Sequence, residues 1–279
     1  MTASANLPMV LGTAQLGMPY GIANKDGKPS LKGAIEIVAE AWGSGIRFFD
    51  TARAYGDSER VLGQCLDEIR GSDKRAEPAV ITKLDPGLEF SNADHILKEV
   101  KTSLESLRVD ALWGLMLHRE SILDQWGQPL AKAVAKLKQA KKIRYFGVSV
   151  YSPERAIQAL KMESMDFIQV PFNVFDQRPL ENGLFQLAEK QGKKVFTRSV
   201  YLQGLLLMDP DFLPPHMGFA KEILKDYIRF SSHCGLSPRL LAVAFAVQNA
   251  PFANIVVGCE TPAQVRENVN LFKRAKSVD

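Results

Sequence analysis

Four residues carry side chains suited to proton chemistry, and three of them stand where short apolar runs end. Asp50 follows Ile46-Arg47-Phe48-Phe49, and Tyr55 comes five positions later, just before Gly56. Lys83 follows Ala79-Val80-Ile81-Thr82, and His118 follows Leu112-Trp113-Gly114-Leu115-Met116-Leu117. A carboxylate, a phenol, an ammonium and an imidazole held together can orient and deliver a proton. Each has a plainer use when taken alone. Asp50 could cap a helix or join a loop ion pair, and Tyr55 could simply pack. Lys83 could lie on the surface, and His118-Arg119-Glu120 could be an ordinary polar loop. Position joins them: in a βα barrel, catalytic residues come from the C-terminal ends of several strands.

The elements that would place them follow a strand–helix rhythm, which predicts a parallel sheet with crossover helices. The predicted strands are 9–12, 46–50, 80–83, 112–117, 143–148, 167–170, 194–197 and 254–257. Helices are predicted over 32–42, from Ser58 as N-cap to near Gly71, from Ser91 or Asn92 as cap to about Leu107, and over 129–140. Ser152-Pro153-Glu154 opens another with a cap and an N1 proline. Further helices are expected over 180–191, 219–232 and 238–249, and from Thr261-Pro262 to about Phe272. Residues 13–30 read as a glycine-rich polar loop. Residues 198–218 read as a second long loop, a length usually reserved for function. Eight strands and eight or more helices fit one (β/α)8 TIM barrel, a single domain over 1–279, with an extended loop and an extra helix after strand 7. An open doubly wound sheet would favour G-x-G-x-x-G after its first strand. Leu11-Gly12-Thr13-Ala14-Gln15-Leu16-Gly17 does not have that form.

Asp50, Tyr55, Lys83 and His118, in that order and spacing, resemble the catalytic tetrad of the aldo-keto reductases. Other words resemble the family in register: Leu11-Gly12-Thr13, Phe49-Asp50-Thr51-Ala52, Thr82-Lys83, Leu117-His118-Arg119, Phe146-Gly147-Val148-Ser149 and Val257-Gly258. The resemblance runs from about Val10 to about Phe272. It implies reduction of an aldehyde or ketone to an alcohol. No side chain supplies hydride, so a nicotinamide cofactor is implied. Tyr55 would then be the acid/base. A free tyrosine titrates near about 10, and a neighbouring ammonium favours its phenolate. Lys83 would supply that ammonium, Asp50 would fix Lys83, and His118 would orient the carbonyl or share in proton transfer. His95, His216 and His233 have no partner pattern and no assigned role.

The same resemblance implies the cofactor positions. They are Gly12 and Thr13 after strand one, Ser149 and Gln169 for the carboxamide, and Arg198, Ser199, Gln203, Gly204 and Leu205 along the loop that would wrap the pyrophosphate. Gly258 and Thr261 precede the last helix, and Gln264 and Asn268 on it would meet the adenosine. Many family members place tyrosine or phenylalanine against the nicotinamide ring near the end of strand seven, where Arg198 stands here. NADP(H) is the family default. However, residues 258–264 hold no base and one acid, Glu260, so NAD(H) or dual use stays open. The expected pocket wall includes Tyr20, Arg119, Asn173 and Tyr201, and Trp113 if its strand direction allows. Arg119 and Asn173 would suit a hydroxylated or anionic substrate, and the chain looks similar to bacterial members acting on sugars or sugar-derived aldehydes. Two rivals remain: a Schiff-base enzyme using Lys83 as nucleophile, and a barrel that binds nicotinamide as a redox sensor or partner subunit.

Composition narrows the class. The chain has 279 residues, 46% hydrophobic and 24% charged. Its net charge of +4 comes from 35 basic and 31 acidic residues spread along the sequence. That argues against nucleic acid or an anionic membrane as partner, and suits a phosphate-bearing cofactor. Cys65, Cys234 and Cys259 are odd in number and form no C-x-x-C, which argues against a disulfide framework or a zinc site. Residues 1–6 do not open a signal peptide, and no apolar run approaches the roughly 20 residues of a membrane span. These features predict a cytoplasmic enzyme with a small-molecule carbonyl substrate and no metal. Its oligomeric state is left open.

Overall fold

The side chains of a strand alternate between its two faces, so residues two apart face the same way. That rule places the chemistry in this fold. The computed structural model describes residues 7–72 and 77–278; the segment read for a leader lies outside them. The strands are β1 (Met9–Gly12), β2 (Phe48–Asp50), β3 (Ala79–Lys83), β4 (Leu112–Leu117), β5 (Ile143–Ser149), β6 (Phe167–Pro171), β7 (Lys194–Arg198) and β8 (Asn254–Gly258). All neighbours are parallel and follow chain order, and β1 pairs with β8 to close the barrel. The expected (β/α)8 architecture is the one observed.

Inside the barrel, Val10, Ile81, Met116, Phe167 and Phe196 make the inner core. Phe48, Trp113, Tyr145 and Val256 pack against it. Two positions beyond these core residues come the polar ones: Phe48 leads to Asp50, Ile81 to Lys83, Met116 to His118, Phe167 to Gln169 and Phe196 to Arg198. The step is about 7 Å along each strand. Trp113 belongs to the lower tier, with ring centroids 5.0 Å from Phe48, 4.7 Å from Tyr145 and 5.5 Å from Phe196. The strand direction does not bring it to the pocket wall, because it stands near the start of β4 whereas His118 follows its end.

The outer layer is α1 (Ala14–Gly17), α2 (Leu31–Gly43), α3 (Ser58–Ser72), α4 (Ala93–Leu107), α5 (Gln128–Gln139), α6 (Pro153–Lys161), α7 (Arg178–Glu181), α8 (Leu184–Lys190), α9 (Lys221–His233), α10 (Pro238–Asn249) and α11 (Pro262–Ala275). Asn92, Ser152 and Thr261 cap α4, α6 and α11 as their sequences suggest. Two expectations fail. The helix read over 180–191 is split, because Gly183 adopts φ 71° between α7 and α8. Ser58 is not a helix cap, because its hydroxyl donates to the Thr13 carbonyl at 2.7 Å and accepts from Thr51 Oγ1 at 2.9 Å. The long loop after β7 carries three 3-10 turns, at Leu205–Leu207, Pro210–Phe212 and Pro215–Ala220. Helices α9 and α10 both precede β8, giving the expected extra helix. All three cysteines are free. Among the described residues, no helix is long and apolar enough to cross a membrane.

The turn bearing Tyr55 is seated by a glycine contact. A Cβ on Gly17, at the end of α1, would lie 1.8 Å from the Tyr55 carbonyl oxygen and 2.4 Å from the Ser58 nitrogen. A Cβ on Gly43, at the end of α2, would meet nothing within 4 Å. Gly17→Ala is thus expected to destabilise the protein by roughly 1–3 kcal/mol through overpacking. Gly43→Ala should be neutral or slightly stabilising, since alanine is the better helix former. Denaturant unfolding of the two variants checks the contrast; equal midpoints would refute it.

Candidate active site

An ammonium in a protein interior requires a counter-charge and acceptors for its protons. Lys83, at the end of β3, is 1% exposed. Its Nζ donates to Asp50 Oδ1 at 2.6 Å and to the Thr51 carbonyl at 2.9 Å. Asp50 Oδ2 accepts from Gln169 Nε2 at 2.8 Å, so β2, β3 and β6 are tied at one level across the barrel. Burial pulls Lys83 toward its neutral form. The Asp50 carboxylate, the Tyr55 phenol and hydrogen bonding to both outweigh that and hold its pKa above the ordinary lysine value.

Tyr55 lies over this pair, its ring centroid 4.9 Å from Lys83 Nζ. The segment that carries it is pinned from below. Arg53 N–H donates to the Lys83 carbonyl at 3.2 Å. The Arg53 guanidinium reaches Glu59 at 2.9 Å, and buried Glu59 also accepts from Thr82 Oγ1 at 2.7 Å. His118 stands edge-on to Tyr55, with ring centroids 5.5 Å apart. Burial, then the nearby Lys83 charge, lowers the His118 pKa to about 4. Its imidazole is therefore neutral near pH 7, with one N–H to donate. His118 Nδ1 is buried without a hydrogen-bond partner among the described residues.

A cavity of about 320 Å³ runs from this cluster across the top of the barrel. Of the residues singled out from the sequence, Gly12, Thr13, Tyr20, Asp50, Tyr55, Gln169, Arg198, Ser199, Gln203, Gly204, Gly258, Gln264 and Asn268 line it. Ser149 is buried beside it, in register with Gln169. Leu205 packs into the hydrophobic core instead. Thr261 spends its hydroxyl on the Gln264 N–H as the cap of α11. Arg119 is exposed at the start of a 3-10 turn. Asn173 departs furthest from its expected place: it is fully buried, and its Oδ1 accepts from the Phe175 and Asp176 N–H groups to staple a turn. Tyr201 lines the cavity but spends its hydroxyl on Asn268 Oδ1 at 2.6 Å, tying the β7 loop to α11.

The far end holds residues the sequence did not single out. Arg239, at the start of α10, and Gln15, in α1, both face the cavity. Nothing local marks either one: Arg239 reads as an ordinary helix residue after Ser237-Pro238, and Gln15 as part of a polar loop. The described groups suit a dinucleotide, with polar amides at each end and a backbone-rich middle. Ser199, Leu202, Gln203 and Gly204 have φ of 65°, 48°, 57° and 88°. Successive residues of this kind make concavities that receive anions. Of the two arginines that face the cavity, Arg198 lies near Tyr20, and Arg239 is paired with Glu267. Cys259, beside Asn268, is inert as a nucleophile, because burial pushes its thiol up to about 12.

His118 gives a measurable pH signature. In the unfolded chain it takes a proton below the ordinary value of 6.5, whereas in the folded protein it stays neutral down to about 4. The unfolded state thus binds more protons between those values, so stability rises with pH across that window and levels off above it. Melting temperatures of the wild type and His118→Asn between pH 4 and 7 test this. The variant should lose part of the slope, and identical slopes would refute the reading.

Comparison with known proteins gives the chain's family. The model of the aldo/keto reductase family matches residues 8–279. The chain is 27% identical over 266 residues to the NADH-specific methylglyoxal reductase of Escherichia coli, covering 84% of this chain and 81% of that protein. It is 29% identical over 283 residues to the L-galactose dehydrogenase of Arabidopsis thaliana, covering 96% and 84%. The solved structure of a glycerol dehydrogenase from Gluconobacter oxydans superposes with a TM-score of 0.71 at 25% identity, covering 97% of this chain and 90% of that one. The chain belongs to the aldo/keto reductase family, oxidoreductases that act on carbonyl compounds with a nicotinamide cofactor.

Proposed function

We propose that this enzyme reduces an aldehyde or ketone at the cluster above β2, β3 and β4, with Tyr55 delivering the proton. The observation that carries the reading is the buried Lys83 ammonium, clamped by Asp50 and Thr51 beneath the Tyr55 ring. The nicotinamide, when bound, supplies hydride to the carbonyl carbon. The protein's task is then the oxygen. Neutral His118 donates a hydrogen bond to it and fixes its direction. Tyr55 gives its proton to that oxygen as negative charge develops there. Lys83 stabilises the resulting phenolate, and Asp50 keeps Lys83 charged and in place. Gln169 and Ser149, adjacent in register at the ends of β6 and β5, would hold the carboxamide. Ser199, Gln203 and Gly204 would take the pyrophosphate, and Gln264 and Asn268 the adenosine.

The same cluster weighs against a Schiff base. Attack on a carbonyl requires a neutral amine. Lys83 is held protonated, and two of its protons are engaged. Against a purely sensing role, a binding site alone would need no ammonium beneath the Tyr55 ring.

For the cofactor, NAD(H) is the better reading. Glu260 lines the far end of the cavity, and no cation lies within ion-pair distance of it among the described residues. The cation nearby, Arg239, is already paired with Glu267 at 3.2 Å. A 2′-phosphate there would meet an unneutralised carboxylate, whereas a ribose hydroxyl could donate to it. The NADH specificity named for the Escherichia coli relative points the same way.

Two measurements test these roles. Tyr55→Phe should lower kcat by about 100- to 10,000-fold while leaving the Kd for NADH, read by tryptophan quenching, near the wild-type value. Retained turnover would remove Tyr55 from the chemistry. The wild type should bind NADH more tightly than NADPH, and Glu260→Gln should narrow that ratio by about fivefold, the worth of a partly exposed charge. An unchanged ratio would place cofactor choice elsewhere.

A further inference from the structure

Arg198 is the cation at the reaction end of the cavity whose charge the protein leaves unmatched. It closes β7, two residues beyond Phe196 of the inner core, so its side chain rises into the top of the barrel. It lines the cavity together with Tyr20 and Tyr55. Its guanidinium carbon lies 4.1 Å from the centroid of the Tyr151 ring. Its one side-chain hydrogen bond is a long one of 3.3 Å to Ser199 Oγ, and it has no carboxylate partner among the described residues. The half-buried Tyr20 phenol lies close to Tyr55, Arg198 and Tyr151; burial first, then Tyr55, raises its pKa, while the Arg198 charge lowers it. Tyr20 and Tyr151 thus flank Arg198 on the approach to Tyr55.

Other charges nearby do not answer it. Asp50 is already engaged by Lys83 and Gln169. Asp85 lies on the His118 side and accepts from the Gly87 N–H. Arg119, also near His118, adds a second cation. A flat guanidinium stacked on an aromatic ring keeps its N–H edge free, and that edge matches a carboxylate or phosphate in two-point geometry.

We propose that Arg198 receives the anionic group of the substrate, and that the enzyme acts on carbonyl compounds bearing a carboxylate or phosphate. This rests on the reductase reading above and narrows its substrate. The anion would sit between Tyr20 and Tyr151 against Arg198, leaving the carbonyl oxygen beneath Tyr55 and His118. Arg198 acts on binding and orientation and takes no part in the proton transfer.

The test compares matched pairs of substrates. Succinic semialdehyde against butanal isolates a carboxylate, and glyceraldehyde 3-phosphate against glyceraldehyde isolates a phosphate. The wild type should favour the anionic member of at least one pair, and which pair it favours identifies the group. In Arg198→Met, the anionic-to-neutral ratio of kcat/KM should fall by about 10- to 100-fold, the worth of a charge-assisted hydrogen bond or two. The loss should fall mainly on KM, and Arg198→Lys should recover part of it. Equal losses on both members of each pair would overturn the proposal. So would a rise in the Kd for NADH that parallels the loss, since Arg198 would then serve the cofactor. Calorimetric binding of oxamate, a carboxylate that is not reduced, scores the anion site independently of turnover. Oxamate binding that weakens in Arg198→Met supports the site even in a protein that fails to bind NADH, which would be a failure of the reductase reading alone. Oxamate binding of equal strength to the wild type and Arg198→Met counts against the site.

Discussion

The Lys83–Asp50 ion pair is the constraint around which the upper half of the barrel is arranged. Two charges buried at the end of the strands would each be costly if left alone. Breaking such a pair by removing one member costs about 3–5 kcal/mol, because the remaining charge is uncompensated. The structure meets that demand with a set of shared acceptors and donors: Thr51 and Asp50 for the ammonium, Gln169 for the second carboxylate oxygen. Those bonds join strands that are remote in sequence, since Asp50 and Gln169 lie 119 residues apart. Burial first, and the Lys83 charge second, keeps His118 neutral, so the imidazole and the phenol stand side by side over the same ion pair.

A second network supports the first without sharing its charge. Thr13, Thr51 and Ser58 form a buried hydroxyl cluster beneath the Tyr55 turn. Glu59 and Arg53 fasten the same turn to β3. The phenol is therefore held by polar contacts on its carrier loop and by a glycine seat at Gly17, while its own ring remains open to the cavity.

Much of this was legible in the sequence because it depends on local rules. Apolar runs ending in a polar residue marked β2, β3 and β4, and the period of two carried Asp50, Lys83 and His118 to the same face. Proline and hydroxyl pairs marked the starts of α6 and α11. What escaped depends on contacts between distant segments. Ser58 looks like a helix cap until Thr13 and Thr51 are seen beside it. Asn173 looks like a pocket residue until its carbonyl is seen closing a turn. Arg239 and Glu260 acquire meaning only once α10 and the β8 loop border one cavity. Trp113 stayed conditional for a different reason: the sequence places it on β4, but only the closed barrel shows that its tier is the packed one.

The two tiers of the barrel divide change from stability. Phe196 and Phe167 fill the floor, and Arg198 and Gln169 stand one step above them on the same strands. A substitution at Arg198 leaves the rings below it undisturbed. Sites that share no partners contribute independently to stability. Replacement of Arg198, which takes no part in the Asp50 network, should therefore be nearly free of a folding penalty, whereas Gln169 is bound to Asp50 and is not. The Asp50–Lys83 pair does not share that freedom, because neither member can change alone.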